Sequence, residues 1–137
     1  MHGFCGILLL FFIKMRYFIP GIIMILIDIL YLSTVGKNIF IPMLNKIQRE
    51  KVEFKLYAAI LCYILLVFSL DYFIISRNKP VLDAFILGVC IYGVYETVNL
   101  ATLKKWRVDA ALIDTIWGGT LMALTTYLTY KVKSLKH

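Results

Sequence analysis

The fold is decided by residues 92–119, which read YGVYETVNLATLKKWRVDAALIDTIWGG. Two apolar stretches flank the basic connection at residues 104–107. Glu96 lies inside the first stretch and Asp114 inside the second, whereas Asp109 lies next to the connection. So short a polar connection between long apolar segments predicts two antiparallel helices. An acid inside a membrane-spanning helix is costly to place there, so it marks a candidate functional site.

The composition is that of a membrane protein. Of its 137 residues, 61% are hydrophobic and only 17% are charged, and the mean hydropathy is +0.84. A single domain of this length cannot bury so much apolar surface inside itself. We therefore predict an integral, multi-pass membrane protein, and the sequence does not identify the membrane.

The net charge of +7 does not indicate a nucleic-acid-binding protein. Lysines and arginines occur in short runs between apolar blocks, without one continuous basic face interleaved with aromatic residues. Anionic lipid head groups explain such runs better. The expected partners are membrane lipids, with a second copy of the chain or a larger membrane complex as further possibilities.

Cysteines and histidines give no sign of a metal or redox site. Cys5, Cys62 and Cys90 lie in apolar runs without Cys-x-x-Cys spacing, so we expect them to be small buried hydrophobic residues. His2 and His137 lie at the two ends of the chain, which argues against a histidine-based zinc or di-iron centre. No cofactor is predicted.

Hydropathy predicts four membrane-spanning helices joined by short connections. Their predicted bounds are residues 17–35, 56–75, 81–103 and 108–130. Only helices satisfy every backbone polar group within one such segment, and short connections make neighbours antiparallel. The predicted fold is all-α, a four-transmembrane-helix antiparallel bundle.

The bundle is predicted to occupy residues 15–133, followed by a basic tail at 134–137. Residues 1–14 form an apolar extension too short to span a bilayer. Because Met15 is a plausible alternative start, this extension is expected to be interfacial or not translated. Pro20 then falls near the beginning of the first span, where proline is tolerated.

The first connection leaves two interpretations open. Gly36, Lys37, Asn38 and Pro42 predict a loop. The polar run that follows, residues 45–55, fits either a solvated loop or an amphipathic helix on the membrane surface. In the second case its apolar neighbours, from residue 39 onward, would face lipid.

The span ends carry aromatic residues but do not fix the orientation. Tyrosines and one tryptophan are predicted to form the interfacial aromatic belt, namely Tyr17, Tyr57, Tyr72, Trp106 and Tyr130. Basic residues divide seven against eight between the two sides of the predicted bundle. The rule that the positive side faces the cytoplasm therefore does not decide the orientation.

Three acids are predicted to lie at similar depth. With about 1.5 Å of rise per residue, the distance to the basic edge of each span is about 13 Å for Asp28, about 12 Å for Glu96 and about 10 Å for Asp114. Asp71 falls in another layer, near the opposite interface. Because the spans contain no lysine, arginine or histidine, three close acids cannot all remain ionised without a bound cation.

Helical spacing gathers further polar residues around these acids. The candidate binding site comprises Asp28, Tyr92, Tyr95, Glu96, Asn99, Thr102, Asp114 and Trp117. The three acids are the only candidate metal ligands, and no catalytic residue is identified. Gly88, Gly118 and Gly119 are expected to let the third and fourth spans approach closely.

Two motifs resemble those of the domain of unknown function 2177 family, which are Tyr-Asp-x-Thr-Asn-x-Ala-Thr-Leu and Asp-x-x-Trp-Gly. Residues 95–103 read YETVNLATL, and residues 114–118 read DTIWG. Residues 26–32, which read LIDILYL around Asp28, are similar to the acidic motif of the family's first span.

The resemblance covers residues 15–132 and implies a small four-span membrane protein without an established activity. Two positions depart from the family pattern. Glu96 stands where the family usually has aspartate, and Val98 stands where it often has threonine. The longer acid moves the carboxylate outward by one methylene, which puts a tight metal geometry in doubt.

Three functions are compatible with this sequence. The first is an intramembrane carboxylate site that binds a proton, a cation or a polar lipid group. In this site Glu96 or Asp114 would act as a proton carrier or as a ligand of a hard cation. Either acid could also accept a hydrogen bond from Tyr92, Tyr95 or Trp117. The second is a non-catalytic subunit of a membrane assembly, in which the same acids hold helices together. The third, a lipid-modifying enzyme, is less favoured because no known catalytic motif is present.

Overall fold

Every regular element of the described chain is helical. The computed structural model describes residues 2–135, and no strand occurs among them. The elements are α1 (His2–Tyr31), a first π-helical segment (Leu32–Phe40), α2 (Ile41–Gln48), α3 (Leu56–Leu70), a second π-helical segment (Asp71–Ile75), α4 (Val81–Thr102) and α5 (Val108–Leu135). Three helical stretches are long and apolar enough to cross a membrane, namely Arg16–Gln48, Leu56–Ile75 and Val81–Thr102.

The first of these stretches is one continuous helix, so the predicted loop at residues 36–42 is wrong. The Ile41 backbone N–H donates to the Gly36 carbonyl, which continues helical hydrogen bonding into α2. Pro42 then falls in the first turn of α2, where its missing N–H is tolerated. The helix ends at Gln48, followed by Arg49 in the left-handed conformation at φ 59°.

A small apolar cluster, here called the Trp106 cluster, joins α2 to the α4–α5 connection. Its buried members are Met43, Trp106, Ala110 and Ala111, and apolar residues of the first π-helical segment, α2 and α4 pack against them. Two predictions are therefore wrong. The apolar side of α2 packs on protein, and Trp106 is buried at 7% exposure and does not lie in an interfacial belt.

The larger core takes side chains from four helices. Its buried members are Met24, Leu66, Val67, Leu70, Ile74, Ile75, Ala84, Leu121 and Met122. Many other large apolar side chains of α1, α3, α4 and α5 are exposed. This distribution is expected of helices whose outer surface meets lipid, because exposed apolar surface carries no penalty there.

Backbone contact is closest between α4 and α5. A Cβ atom on Gly88 would overlap the carbonyl oxygen of Gly118, and one on Gly118 would overlap the ring of Tyr92. A Cβ atom on Gly119 would lie 2.7 Å from Val89 and 2.8 Å from Phe85. Glycine at these positions lets α4 and α5 lie closer together than any larger residue would allow.

Other details of the helices differ from the sequence-based expectations. Cys5, Cys62 and Cys90 are free and exposed, so the prediction that they are buried is wrong. α1 begins at His2 and continues without a break at residue 14, which places Pro20 inside it. Met1 and residues 136–137 of the predicted tail lie outside the described residues.

Candidate functional site

Asp28 links three helices through hydrogen bonds to aromatic side chains. It lies on α1 with 7% exposure. Its Oδ2 accepts the Tyr63 hydroxyl of α3 at 2.5 Å, and its Oδ1 accepts the Trp117 Nε1–H of α5 at 3.0 Å. Both carboxylate oxygens are therefore satisfied without a cation.

Asp114 on α5 is connected to the same region by Tyr31. The Tyr31 hydroxyl donates to Asp114 Oδ1 at 3.1 Å. The Tyr31 ring stacks on the Trp117 ring with a centroid distance of 4.6 Å and an interplanar angle of 5°. The ring that donates to Asp114 therefore stacks on the ring that donates to Asp28.

Glu96 on α4 is the most deeply buried acid of the site, at 1% exposure. Its Oε2 accepts the Trp106 Nε1–H at 2.6 Å, whereas no described residue donates to its Oε1. The Glu96 carboxyl is also a neighbour of the Asp114 carboxyl. Two carboxyl groups can form a hydrogen bond only when one of them carries a proton. We call Glu96 and Asp114 the carboxyl pair.

No basic side chain of the described residues forms an ion pair with these three acids. The ion pairs in the described part of the chain join Arg16 to Asp71 and Arg107 to Asp109. Asp71 is fully buried, and its partner comes from α1. The side-chain hydrogen bonds that these three acids accept in the described part of the chain therefore come from tyrosine and tryptophan.

The remaining predicted residues surround the site unequally. The Tyr92 ring packs over Gly118, and the Asn99 Nδ2 is buried without an acceptor among the described residues. Tyr95 is exposed and meets the Trp106 ring edge-on at 6.3 Å. Thr102 is exposed as well, and its hydroxyl donates to the Val98 carbonyl of its own helix at 2.8 Å. Tyr95 and Thr102 are thus at the edge of the site.

The three acids do not form a metal-binding cluster. Within the described residues, no group of three histidine, cysteine, aspartate or glutamate side chains is placed to hold a metal ion. Both oxygens of Asp28 already accept hydrogen bonds, from Tyr63 and Trp117, which leaves the carboxyl pair to be considered. Two carboxyls are fewer ligands than a calcium or magnesium ion requires.

Three donors of the site were not predicted from sequence. Tyr31 follows Asp28 by three residues and so shares its helix face, a spacing that could have indicated it. Trp106 was assigned to the interfacial aromatic belt because it lies near a predicted span end. Tyr63 carries no sequence signal, since its role depends on how α3 is rotated toward α1.

A family model described as "Predicted membrane protein (DUF2177)" matches residues 13–131. The chain belongs to this family. The resemblance seen in the motifs is thereby confirmed, and the matched range of the DUF2177 model includes all three acids of the site. The membrane location is confirmed by that description and by three helical stretches able to span a bilayer.

The family description states a location and no activity. No curated protein and no solved structure matches the chain. The evidence on the function of this DUF2177 member therefore lies in its own residues.

Proposed function

We propose that this protein is a four-span antiparallel membrane bundle whose carboxyl pair binds and releases a proton. The observation that carries the proposal is that Glu96 is buried near the Asp114 carboxyl, with its Oε1 lacking a donor among the described residues. Such a pair stores one proton between two acids, and burial keeps that proton from exchanging freely with water.

The contacts of α5 support a fourth span. α5 follows α4 after residues 103–107 and packs along it through Gly88 and Gly118. It also contacts α1 through the hydrogen bonds to Asp28 and Asp114. Packing between α1 and α4 supports a position for α5 at the same depth in the bilayer as its neighbours.

A proton fits the site better than a metal cation does. The carboxyl pair offers two carboxyl groups and the nearby Asn99 amide, whereas calcium takes about six to eight oxygen ligands. Trp106 and Tyr31 donate hydrogen bonds to the pair. These donors can stabilise one negative charge, so the pair can hold a single proton.

The proposal is tested by thermal unfolding in detergent between about pH 5 and pH 9. The folded protein holds a proton that an unfolded, solvated carboxylate would release in this range. The free energy of unfolding should therefore fall as the pH rises toward the range in which the folded protein releases the shared proton. Glu96→Gln, whose amide replaces the protonated acid, should remove this pH dependence.

Asp109→Asn is the matched control, because Asp109 is an exposed acid at the start of α5, paired with Arg107. It should leave the pH dependence of the wild type unchanged. A wild type with no pH dependence would contradict the proposal, and so would a Glu96→Gln protein that retains it.

A second candidate function is a non-catalytic interaction protein whose acids only connect helices. Its support is that each acid accepts an indole or phenol hydrogen bond, and Asp28 alone joins three helices. Under this function Glu96→Gln would lower stability equally at every pH. Native mass spectrometry from mild detergent would then show an oligomer or a complex with another membrane protein.

A further inference from the structure

An open groove runs between α1 and α5 on the outer surface of the protein. Its volume is about 610 Å³, and its lining includes Leu30, Tyr31, Thr34, Ile116, Trp117 and Leu124. Leu30 and Ile116 are 69% and 59% exposed, so the apolar walls are open to the surroundings. The stacked rings of Tyr31 and Trp117 form part of the lining, and Tyr31 donates to the carboxyl pair from there.

The length of the groove corresponds to one leaflet of a bilayer. On α5 its lining extends from Ile113 to Leu124. At a rise of about 1.5 Å per residue this distance is roughly 16 Å, about half of the ~30 Å hydrocarbon core. A single acyl chain lying along the bilayer normal has the direction and the apolar character that the groove requires.

One end of the groove is basic. The connection before α5 carries exposed Lys104, Lys105 and Arg107, and Lys37 follows the groove residue Thr34 by three positions. These residues lie at the end of the groove where α5 begins. The first π-helical segment runs toward the same end. Lysines and arginines near the membrane surface attract anionic head groups.

We propose that the groove binds one acyl chain of an anionic phospholipid, whose head group contacts Lys37 and the basic side chains of Lys104, Lys105 and Arg107. A second copy of the chain fits less well. Copies with the same orientation in the membrane would bring their Lys37 residues and their basic connections to the same level, where like charges repel. The lipid instead neutralises this basic end. This inference does not depend on the proton-binding proposal.

The test is native mass spectrometry of protein released from nanodiscs that contain equal amounts of phosphatidylglycerol and phosphatidylcholine. We expect the wild type to retain phosphatidylglycerol in preference to phosphatidylcholine. Thr120→Phe places a ring in the groove and should abolish this retention. Lys37→Gln should weaken it about fivefold, the effect of one lysine at an anionic membrane surface.

Two matched controls accompany these variants. Leu61→Phe enlarges an exposed apolar residue of α3 outside the groove, and Lys51→Gln neutralises an exposed lysine in the connection after α2. Both should retain phosphatidylglycerol as the wild type does. Glu96→Gln should retain it too, so that loss of lipid and loss of the proton response are separate results.

Equal retention of the two lipids by the wild type would overturn the proposal. Retention of phosphatidylglycerol by folded Thr120→Phe would also overturn it. Loss of a dimer peak in that variant, with no lipid on the wild type, would assign the groove to a second copy instead. If Thr120→Phe does not fold, unchanged retention by Lys37→Gln would still contradict the head-group contact.

Discussion

At the scale of single residues, the site is organised by aromatic donors rather than by basic side chains. Asp28, Asp114 and Glu96 each accept a hydrogen bond from tyrosine or tryptophan. An indole or phenol satisfies a carboxylate oxygen without adding a full charge, so the acid can still gain or lose a proton. A lysine or arginine in the same place would hold the acid permanently ionised.

Tyr63→Phe should destabilise the protein because it leaves Asp28 Oδ2 without its donor. The expected loss is about 1–3 kcal/mol in the free energy of unfolding, typical of a buried acceptor left unsatisfied. The measurement is chemical or thermal unfolding in detergent. Tyr57→Phe is the control, since Tyr57 lies on the same helix with 66% exposure; equal effects of the two substitutions would contradict this role of Tyr63.

Trp106→Phe and Glu96→Gln should show strong coupling, because the Trp106 indole donates directly to Glu96. Phenylalanine retains much of the packing in the Trp106 cluster but has no N–H. A double-mutant cycle on the free energy of unfolding should give a coupling energy of about 0.5–3 kcal/mol. The comparison is Trp117→Phe with Glu96→Gln, which should be closer to additive because Trp117 donates to Asp28.

At the scale of helices, hydropathy predicted the position of three of them. Helical structure covers Leu56–Ile75, Val81–Thr102 and Val108–Leu135, and polar or proline-containing segments separate these three helices. The predicted bounds of the first helix, residues 17–35, were shorter than the observed helical stretch, which continues to Gln48. Gly36, Asn38 and Pro42 have low helix propensity, and tertiary packing of Met43 on Trp106 overrides that preference.

The acids of the site could be predicted from sequence, whereas most of their hydrogen-bond donors could not. Acids in apolar sequence are conspicuous, so Asp28, Glu96 and Asp114 were selected from their positions in the spans and their predicted depth. Their partners come from other helices and depend on helix rotation, which a sequence pattern does not specify. Tyr63 and Trp106 were therefore missed, whereas Trp117, one turn from Asp114 on its own helix, was selected.

Gly88→Ala should separate α4 from α5, since the added Cβ would overlap the Gly118 carbonyl oxygen. Backbone cannot move aside as a flexible side chain can, so we expect a loss of about 1–3 kcal/mol in unfolding free energy. Gly93→Ala on the same helix is the control. Its Cβ would lie 3.5 Å from Thr115 Cγ2, an ordinary contact, and its stability should match or exceed that of the wild type.

At the scale of the whole molecule, the four-span proposal fixes which polar segments share a side of the membrane. In single-cysteine variants made after replacing Cys5, Cys62 and Cys90, Asn78→Cys and Ser134→Cys should react with an impermeant thiol reagent from one side. Lys105→Cys should react from the other. If Lys105→Cys and Ser134→Cys react from the same side, α5 does not cross the bilayer.

The glycine contact between α4 and α5 also has a consequence for biosynthesis. α5 carries Asp109 and Asp114 and is not among the three stretches apolar enough to cross a membrane by their own composition. Its neighbour α4 is synthesised immediately before it and presents Gly88 to the Gly118–Gly119 backbone. We expect the translocon to release the two helices into lipid together, as a hairpin, so that α4 carries its less apolar partner into the bilayer.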